Sequence, residues 1–157
     1  MSVSGLEVFD RTLETTHIWL NEICTDLGPD KQVAWKVLST VLRKLRDRLT
    51  VNLAAHLGAQ LPLLVRGVYY DQYEPSHMPS EFRSRDDFIG EVAESLYDIR
   101  PVDPQEAVRS VLRVLSRHIS QGQISKVRDA LPKSMRQFWE KAEDPTLGAE
   151  ESLILIE

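Results

Sequence analysis

The fold is decided by two matching stretches, VLRKLRDRLT at residues 41–50 and VLRVLSRHIS at residues 111–120. In both stretches the apolar residues recur at the three- and four-residue spacing of a helix, with basic residues between them. The match continues at the same offset of 70, because Leu61-Pro62 corresponds to Leu131-Pro132 and Tyr69 to Trp139. We infer that the chain contains two copies of one unit of about 70 residues.

The segments that precede these stretches match at an offset of 69, so that Trp19 corresponds to Phe88 and Glu22 to Glu91. A difference of one residue falls in a connection, where an insertion costs little free energy. Strand signals are absent except in the last residues. The sequence therefore predicts an all-α single domain of two tandem four-helix units with a pseudo-twofold relation.

The predicted domain covers residues 1–142, with unit one at about 5–70 and unit two at about 83–142. The linker at 71–82 contains Pro75 and Pro79 and has no helical periodicity. The tail at 143–157 is acidic and ends in an apolar segment. That segment consists of Leu153, Ile154, Leu155 and Ile156.

Side chains that can accept hydrogen bonds from backbone N–H groups precede most of the predicted helices. Asp103-Pro-Gln-Glu106 offers a complete capping box with proline at the first helical position. Pro62 and Pro132 are predicted in the first turn of the last helix of each unit. The other predicted caps are Asp30, Thr50, Ser84 and Ser120.

The charges alternate along the chain. Residues 1–30 hold one basic and six acidic residues, whereas residues 31–70 hold seven basic residues and one acidic residue. Residues 71–102 are again acidic and residues 103–141 again basic. We expect the acidic leading helix and the basic helices to pair within the molecule.

The composition is that of a globular protein, with 42% hydrophobic residues and 27% charged residues. No apolar run approaches the length of about 20 residues that spans a bilayer, so no membrane association is predicted. The N-terminus lacks the basic and apolar regions of a signal peptide. The lone Cys24 fits a reducing compartment, and a cytoplasmic location is predicted.

Several short motifs are similar to a bacterial family, domain of unknown function 2267. They are Leu45-Arg-Asp-Arg-Leu49, Ala59-Gln-Leu-Pro62 and Arg66-Gly-Val-Tyr-Tyr70 in the first half, with Leu115-Ser-Arg-His-Ile-Ser120 and Leu131-Pro132 in the second. The likeness covers roughly residues 5–140. It implies a tandem helical unit in a prokaryotic protein and brings with it no catalytic residues. Leu53 stands where the resemblance implies an acidic residue after the Thr50 cap.

The ionisable residues form no recognisable catalytic constellation. Glu14-x-x-His17 has the spacing of a di-metal helix motif, but a second such motif is missing, and Glu7, Asp10 and Glu14 fit a solvated acidic stripe. No nucleophile elbow or phosphate loop is present. The sequence predicts no catalytic, cofactor or metal site, although an enzyme or ligand binder with a cavity between the units stays open.

Two features predict an interaction surface. Arginine and tyrosine, which are enriched in protein interfaces, cluster around Arg66-Gly-Val-Tyr-Tyr-Asp-Gln-Tyr73, and the apolar end of the tail is costly to leave in water. We therefore predict a non-catalytic protein–protein interaction module that binds a protein partner or a second copy of itself. The candidate residues are Arg43, Arg46, Arg66, Tyr69, Tyr70, Tyr73, Leu153, Ile154, Leu155 and Ile156.

The alternative is a nucleic-acid-binding or regulatory protein that uses the basic helices. Against it, the short helix predicted after Thr50 carries no arginine or lysine, and residues 1–142 hold equal numbers of basic and acidic residues. We also expect the tail to cover an interaction surface and to compete there with a partner.

Overall fold

A computed structural model describes residues 3–99 and 101–143, and in these residues it contains helices and no strand. A short 3-10 helix, Pro75–His77, lies in the connection between the fourth and fifth α-helices. The prediction of an all-α chain is therefore confirmed for this part of the molecule. The α-helices are α1 (Glu7–Leu27), α2 (Lys31–Arg46), α3 (Val51–Ala59), α4 (Leu63–Tyr70), α5 (Arg85–Ser95), α6 (Pro104–His118), α7 (Gln121–Asp129) and α8 (Lys133–Glu143).

The predicted caps begin five of these helices. Asp30 accepts hydrogen bonds from the backbone N–H groups of Gln32 and Val33 at the start of α2. Thr50 accepts from the N–H of Leu53, so its cap forms without the acidic residue that the family resemblance implies there. Each such cap satisfies an N–H group that has no partner within its own helix. Ser84, Asp103 and Ser120 act in the same way on α5, α6 and α7.

The start of α6 and the positions of the two prolines differ in detail from the prediction. Glu106, which was predicted to complete the capping box of α6, forms an ion pair with Arg109 at 2.5 Å. Pro62 immediately precedes α4, and its carbonyl accepts from the N–H of Arg66 at 2.8 Å. A proline without an N–H group is equally well accommodated there, because that position donates no bond within the helix.

The core is built around α2 and α6, which contact each other and most of the other helices. Helix α1 packs against α2, α4 and α6, whereas α5 packs against α2, α6 and α8. The short helices α3 and α7 contact each other. Ten of the 16 residues of α2 are buried, which makes it the most enclosed helix. The largest buried side chains are Trp19, Trp139, Tyr69, Phe88 and Phe138.

Glycine ends α1 because the chain there takes a backbone conformation that favours this residue. Gly28 has φ 110°, and its N–H donates to the carbonyl of Cys24 at 2.9 Å. The turn lets α2 run back along α1.

In the described part of the chain, no helix is both long enough and apolar enough to cross a membrane.

Candidate functional site

Four residues of the predicted interaction site lie together where α2 packs against the end of α4. Arg46 Nη1 donates hydrogen bonds to the carbonyls of Tyr69 at 2.7 Å and Asp71 at 2.8 Å. Arg43 Nε donates to another carbonyl of α4 at 3.1 Å, and the Arg46 guanidinium lies 4.9 Å from the centroid of the Tyr73 ring. The last carbonyls of a helix lack partners within it, so the two arginines cap α4 from α2. We call Arg43, Arg46, Tyr69 and Tyr73 the arginine–tyrosine cluster.

The tyrosines of the predicted site are divided between core and surface. Tyr69 is fully buried, and its hydroxyl donates to the carbonyl of Ala54 at 2.7 Å. Burial raises the pKa of Tyr69 far above its ordinary value, and burial also raises the pKa of Tyr73. Tyr70 is 36% exposed and meets Tyr69 edge-on, with ring centroids 5.0 Å apart. Of these three, Tyr70 presents the most surface to a partner.

The pairing of acidic and basic helices that the charge pattern predicts is found between α1 and α6. Glu22 lies 3.0 Å from Arg117 and 2.8 Å from His118. Asp26 accepts a hydrogen bond from Ser110 Oγ at 2.7 Å and lies 3.4 Å from Arg113. These contacts hold α1 and α6 together and use basic side chains that the nucleic-acid alternative would need.

The matching contact on the other side of the core joins Glu91 of α5 to Arg48, which follows α2. Arg48 is buried, and its guanidinium also donates to Ser80 Oγ in the linker. Burial lowers the pKa of Arg48, while the nearby carboxylates of Asp47 and Asp87 act in the opposite direction. Arg48 thus fastens both the linker and α5 to the end of α2.

The candidate metal motif on α1 does not assemble with other potential ligands. His17 Nδ1 lies 3.2 Å from Lys31 Nζ. Glu14 is exposed on the same helix. Among the residues that the structure describes, no three His, Cys, Asp or Glu side chains are grouped as a metal site would require.

The largest concentration of exposed apolar side chains lies on the first half of α1 and the first turn of α4. Leu6, Phe9 and Leu13 share one side of α1 by their spacing and are 52%, 49% and 41% exposed. Leu63 and Leu64 at the start of α4 are 52% and 41% exposed. The Leu64 N–H donates to Thr12 Oγ1 at 2.9 Å, which fixes α4 against α1. We call Leu6, Val8, Phe9, Leu13, Leu63 and Leu64 the α1–α4 surface.

A groove of about 380 Å³ lies beside this surface. Trp19, which is 2% exposed, lies among its lining residues, and its ring stacks on that of His118 with centroids 5.3 Å apart. Arg66, another residue of the predicted site, also lines it and donates to the carbonyls of Ala59 and Leu61. We call this cavity the α1–α4 groove. Its lining residues are Val8, Arg11, Thr12, Thr15, Trp19, Ala59, Gln60, Leu61, Pro62, Leu63, Arg66 and His118.

A second groove, of about 500 Å³, lies where α8 ends. Its lining mixes acidic and basic side chains, among them Arg113, Arg117 and Glu143. The Glu143 carboxylate accepts from Ser116 Oγ at 2.7 Å and pairs with Arg128 at 3.0 Å. These bonds fix the point from which the tail continues.

The structure therefore separates the predicted interaction residues into two places. The arginine–tyrosine cluster joins α2 to α4, with Tyr70 packed edge-on against Tyr69, whereas Arg66 lines the α1–α4 groove. The remaining predicted residues, Leu153, Ile154, Leu155 and Ile156, lie outside the described residues. Sequence reasoning missed Leu6, Phe9 and Leu13 as surface residues because their spacing is that of an ordinary amphipathic helix.

Comparison with known proteins agrees with the family resemblance noted from the sequence. None of the curated proteins matches the chain significantly. The model of one family, described as uncharacterized conserved protein (DUF2267), matches residues 16–138. The match includes all of α2 to α7 and most of α1 and α8. Since these residues make up well over half of the sequence, the chain belongs to the DUF2267 family.

Proposed function

We propose that this chain is a non-catalytic protein–protein interaction module of the bacterial cytoplasm and that it binds its partner at the α1–α4 surface and groove. The observation that carries the proposal is the group of six large apolar side chains, each 41–55% exposed, on adjoining parts of two helices. Large apolar side chains that are exposed close together often mark a surface at which a partner binds. The single cysteine fits a reducing cytoplasm.

The lining of the groove indicates what kind of partner would fit. It offers apolar contacts from Val8, Leu61 and Leu63 and positive charge from Arg66 and from Arg11, which is paired with Glu7. No carboxylate is among the described lining residues. An apolar segment that carries acidic residues at its ends matches both properties, because its carboxylates would meet arginines and its apolar side chains would leave water.

A pair of substitutions at equivalent helix positions tests this proposal. Leu63 and Val51 are the first residues of α4 and α3 and are 52% and 42% exposed. Leu63→Asp places a charge in the groove, whereas Val51→Asp places the same charge outside it. An acidic residue is favourable in the first turn of either helix, so both variants should fold.

Affinity capture from the native cell would compare these two variants, and Phe9→Asp, with the unchanged protein. We expect the same partner with the unchanged protein and with Val51→Asp, and its loss with Leu63→Asp and with Phe9→Asp. Identical recovery with all four proteins would contradict the proposed surface.

The exposed apolar surface could instead bind a second copy of the chain. In that case the unchanged protein would sediment as a dimer at micromolar concentration, and Leu63→Asp would sediment as a monomer. If the protein sediments as a monomer in both forms, the partner is a different protein.

Nucleic-acid binding is kept as the second candidate because a polar cleft of about 390 Å³ lies beside the arginine–tyrosine cluster. Lys36, Arg43, Lys44 and Arg46 contribute to its lining, with Asp47 as the one acidic residue among those described. Titration with duplex DNA at two salt concentrations separates the candidates, since phosphate binding weakens steeply as salt increases. Binding that is salt-sensitive and lost in Lys36→Glu/Lys44→Glu would favour this second function.

We further infer that the eight α-helices of the described chain form two tandem four-helix units related by a pseudo-twofold axis. In support, the packing of α1 on α6 has its counterpart in the packing of α5 on α2, and α3 meets α7 as α2 meets α6. The contacts of Glu22 with His118 and of Glu91 with Arg48 also occupy corresponding positions. In an experimental structure, residues 16–70 should superpose on residues 85–140 through a rotation near 180°; a markedly different rotation would contradict the relation.

A further inference from the structure

We propose that the apolar end of this chain, Leu153–Ile156, occupies the α1–α4 groove of the same molecule and so controls access to it. The proposal rests on the proposed function, in that the groove is taken as the binding surface. Reach and chemical complementarity support the chain's own tail as the occupant.

The tail is long enough to reach the groove. It continues from Glu143, whose carboxylate is bonded to Ser116, and Ser116 lies two residues before His118 at the edge of the groove. Leu153 is ten positions after Glu143, and an extended chain of ten residues spans at most about 33–36 Å. The groove follows α1 from Trp19 back to Val8, a distance of about 17 Å at the rise of an α-helix. The maximum span of the tail is therefore about twice the length of the groove.

The chemistry of the tail matches that of the groove. Glu150 and Glu151 precede the four apolar residues, and Glu157 follows them. Arg11 and Arg66 line the groove among apolar side chains. Arg11 also forms an ion pair with Glu7 at 2.6 Å, so Arg66 is the main source of positive charge in the groove. On the other side of α1, the carboxylates of Asp10 and Glu14 would repel an acidic segment. Charge thus favours the groove over the opposite side of the same helix.

The experiment places a nitroxide spin label next to the apolar segment of the full-length protein. Ser152→Cys carries the label, and Cys24→Ala removes the other thiol. In ¹⁵N-labelled protein we expect loss of the amide signals of Val8, Thr12 and Leu61 and of the Trp19 indole signal. Addition of Leu63→Asp should restore these signals, whereas the matched control Val51→Asp should leave them broadened. Signals that are unaffected, or broadened equally with and without Leu63→Asp, would overturn the proposal.

A mixed sample distinguishes docking within one molecule from docking between two. Spin-labelled protein without ¹⁵N is mixed with ¹⁵N-labelled protein that carries no spin label. We expect no loss of the groove signals, because the attached tail has a local concentration on the order of millimolar and excludes tails of other molecules. Loss of the groove signals in this mixture would show exchange between copies and overturn docking in the same molecule.

Access to the groove gives an independent measurement. A synthetic peptide of residues 144–157 should bind the full-length protein at least about ten-fold more weakly than it binds the variant Ile154→Asp/Leu155→Asp, whose own tail no longer competes. Equal affinities would overturn the proposal. The proposed function is tested by a different result. It requires partner capture to differ between Leu63→Asp and Val51→Asp, whether or not the tail docks.

Discussion

Glu22 of α1 and His118 of α6 are 96 residues apart in the sequence, yet Glu22 Oε2 lies 2.8 Å from His118 Nε2. The His118 ring stacks on Trp19, one turn before Glu22, and Arg117 contacts the same carboxylate. The contact therefore joins the first helix to a helix of the second half through both charge and ring packing. It also borders the α1–α4 groove, which makes the position of His118 relevant to the proposed binding surface.

The contact between Glu22 and His118 should contribute measurably to stability. In a double-mutant cycle of Glu22→Gln and His118→Gln, we expect a coupling free energy of about 0.5–1 kcal/mol, because both side chains are only partly exposed. Urea unfolding of the four proteins measures it. The same cycle with Glu14→Gln, an exposed residue on α1, should show no coupling. Strictly additive effects for Glu22 and His118 would contradict the prediction.

Loss of the carboxylate that pairs with Arg48 should lower the free energy of unfolding by more than loss of the contact between Glu22 and His118. Glu91→Gln leaves a buried guanidinium without its charged partner, and we expect a loss of about 1–3 kcal/mol in the free energy of unfolding. Glu94 lies one turn further along α5 and is exposed. Glu94→Gln is therefore the matched control and should change stability by less than about 0.5 kcal/mol. The two variants would be compared by chemical denaturation, and equal stabilities would contradict the role of Arg48.

Gly58 of α3 provides the space for the tyrosines of α4. A Cβ atom at this position would lie 2.5 Å from the Tyr70 hydroxyl oxygen and 3.0 Å from Cε1 of buried Tyr69. We expect Gly58→Ala to destabilise the protein by about 1–3 kcal/mol, despite the better helix propensity of alanine. At Gly67 of α4 a Cβ meets no atom within 4 Å, so Gly67→Ala should stabilise by about 0.5–1 kcal/mol. Thermal unfolding should thus move in opposite directions for the two variants.

The buried Tyr69 hydroxyl should make the fold sensitive to alkaline pH. Burial raises the pKa of Tyr69 in the folded protein above the value of about 10 of an unfolded chain. The unfolded state therefore loses this proton first, and stability that is fully present below pH 10 should fall as the pH increases further. We expect Tyr69→Phe to remove part of this alkaline decrease in stability. The variant should also lose about 0.5–1.5 kcal/mol in the free energy of unfolding at neutral pH, because the hydrogen bond to Ala54 is absent.

Tyr97, which is 86% exposed, is the matched control for that measurement. Tyr97→Phe should leave both the stability at neutral pH and its alkaline decrease unchanged. The check is denaturant unfolding of the three proteins between pH 8 and pH 11. An identical alkaline decrease for Tyr69→Phe and the unchanged protein would assign the effect to other groups.

Local sequence patterns predicted the helices and most of their starts. Asp30, Thr50, Ser84, Asp103 and Ser120 cap the helices that they were predicted to cap. A cap depends on a side chain and the N–H groups two or three residues further on, so the information is contained within one turn of chain. The family membership follows from the sequence in the same way.

Tertiary structure alone decided whether the apolar side of each helix is buried or exposed. Leu6, Phe9, Leu13 and Leu20 follow one apolar stripe by helical spacing, yet the first three are exposed and Leu20 is buried. Spacing gives an apolar stripe its direction, but burial depends on which helices pack over it, and α6 and α2 enclose the second half of α1.

Tertiary structure also decided that the arginine–tyrosine cluster makes its contacts within the molecule. Arginine and tyrosine next to a helix end fit an interface or an internal cap equally well, because both residue types combine apolar area with hydrogen-bond donors. The chain folds α2 against α4, so Arg46 finds the carbonyls of Tyr69 and Asp71 within the molecule. The sequence by itself determined the helices, their caps and the family. Tertiary structure decided which of the arginines and apolar residues face solvent, because that depends on contacts between residues far apart in the chain.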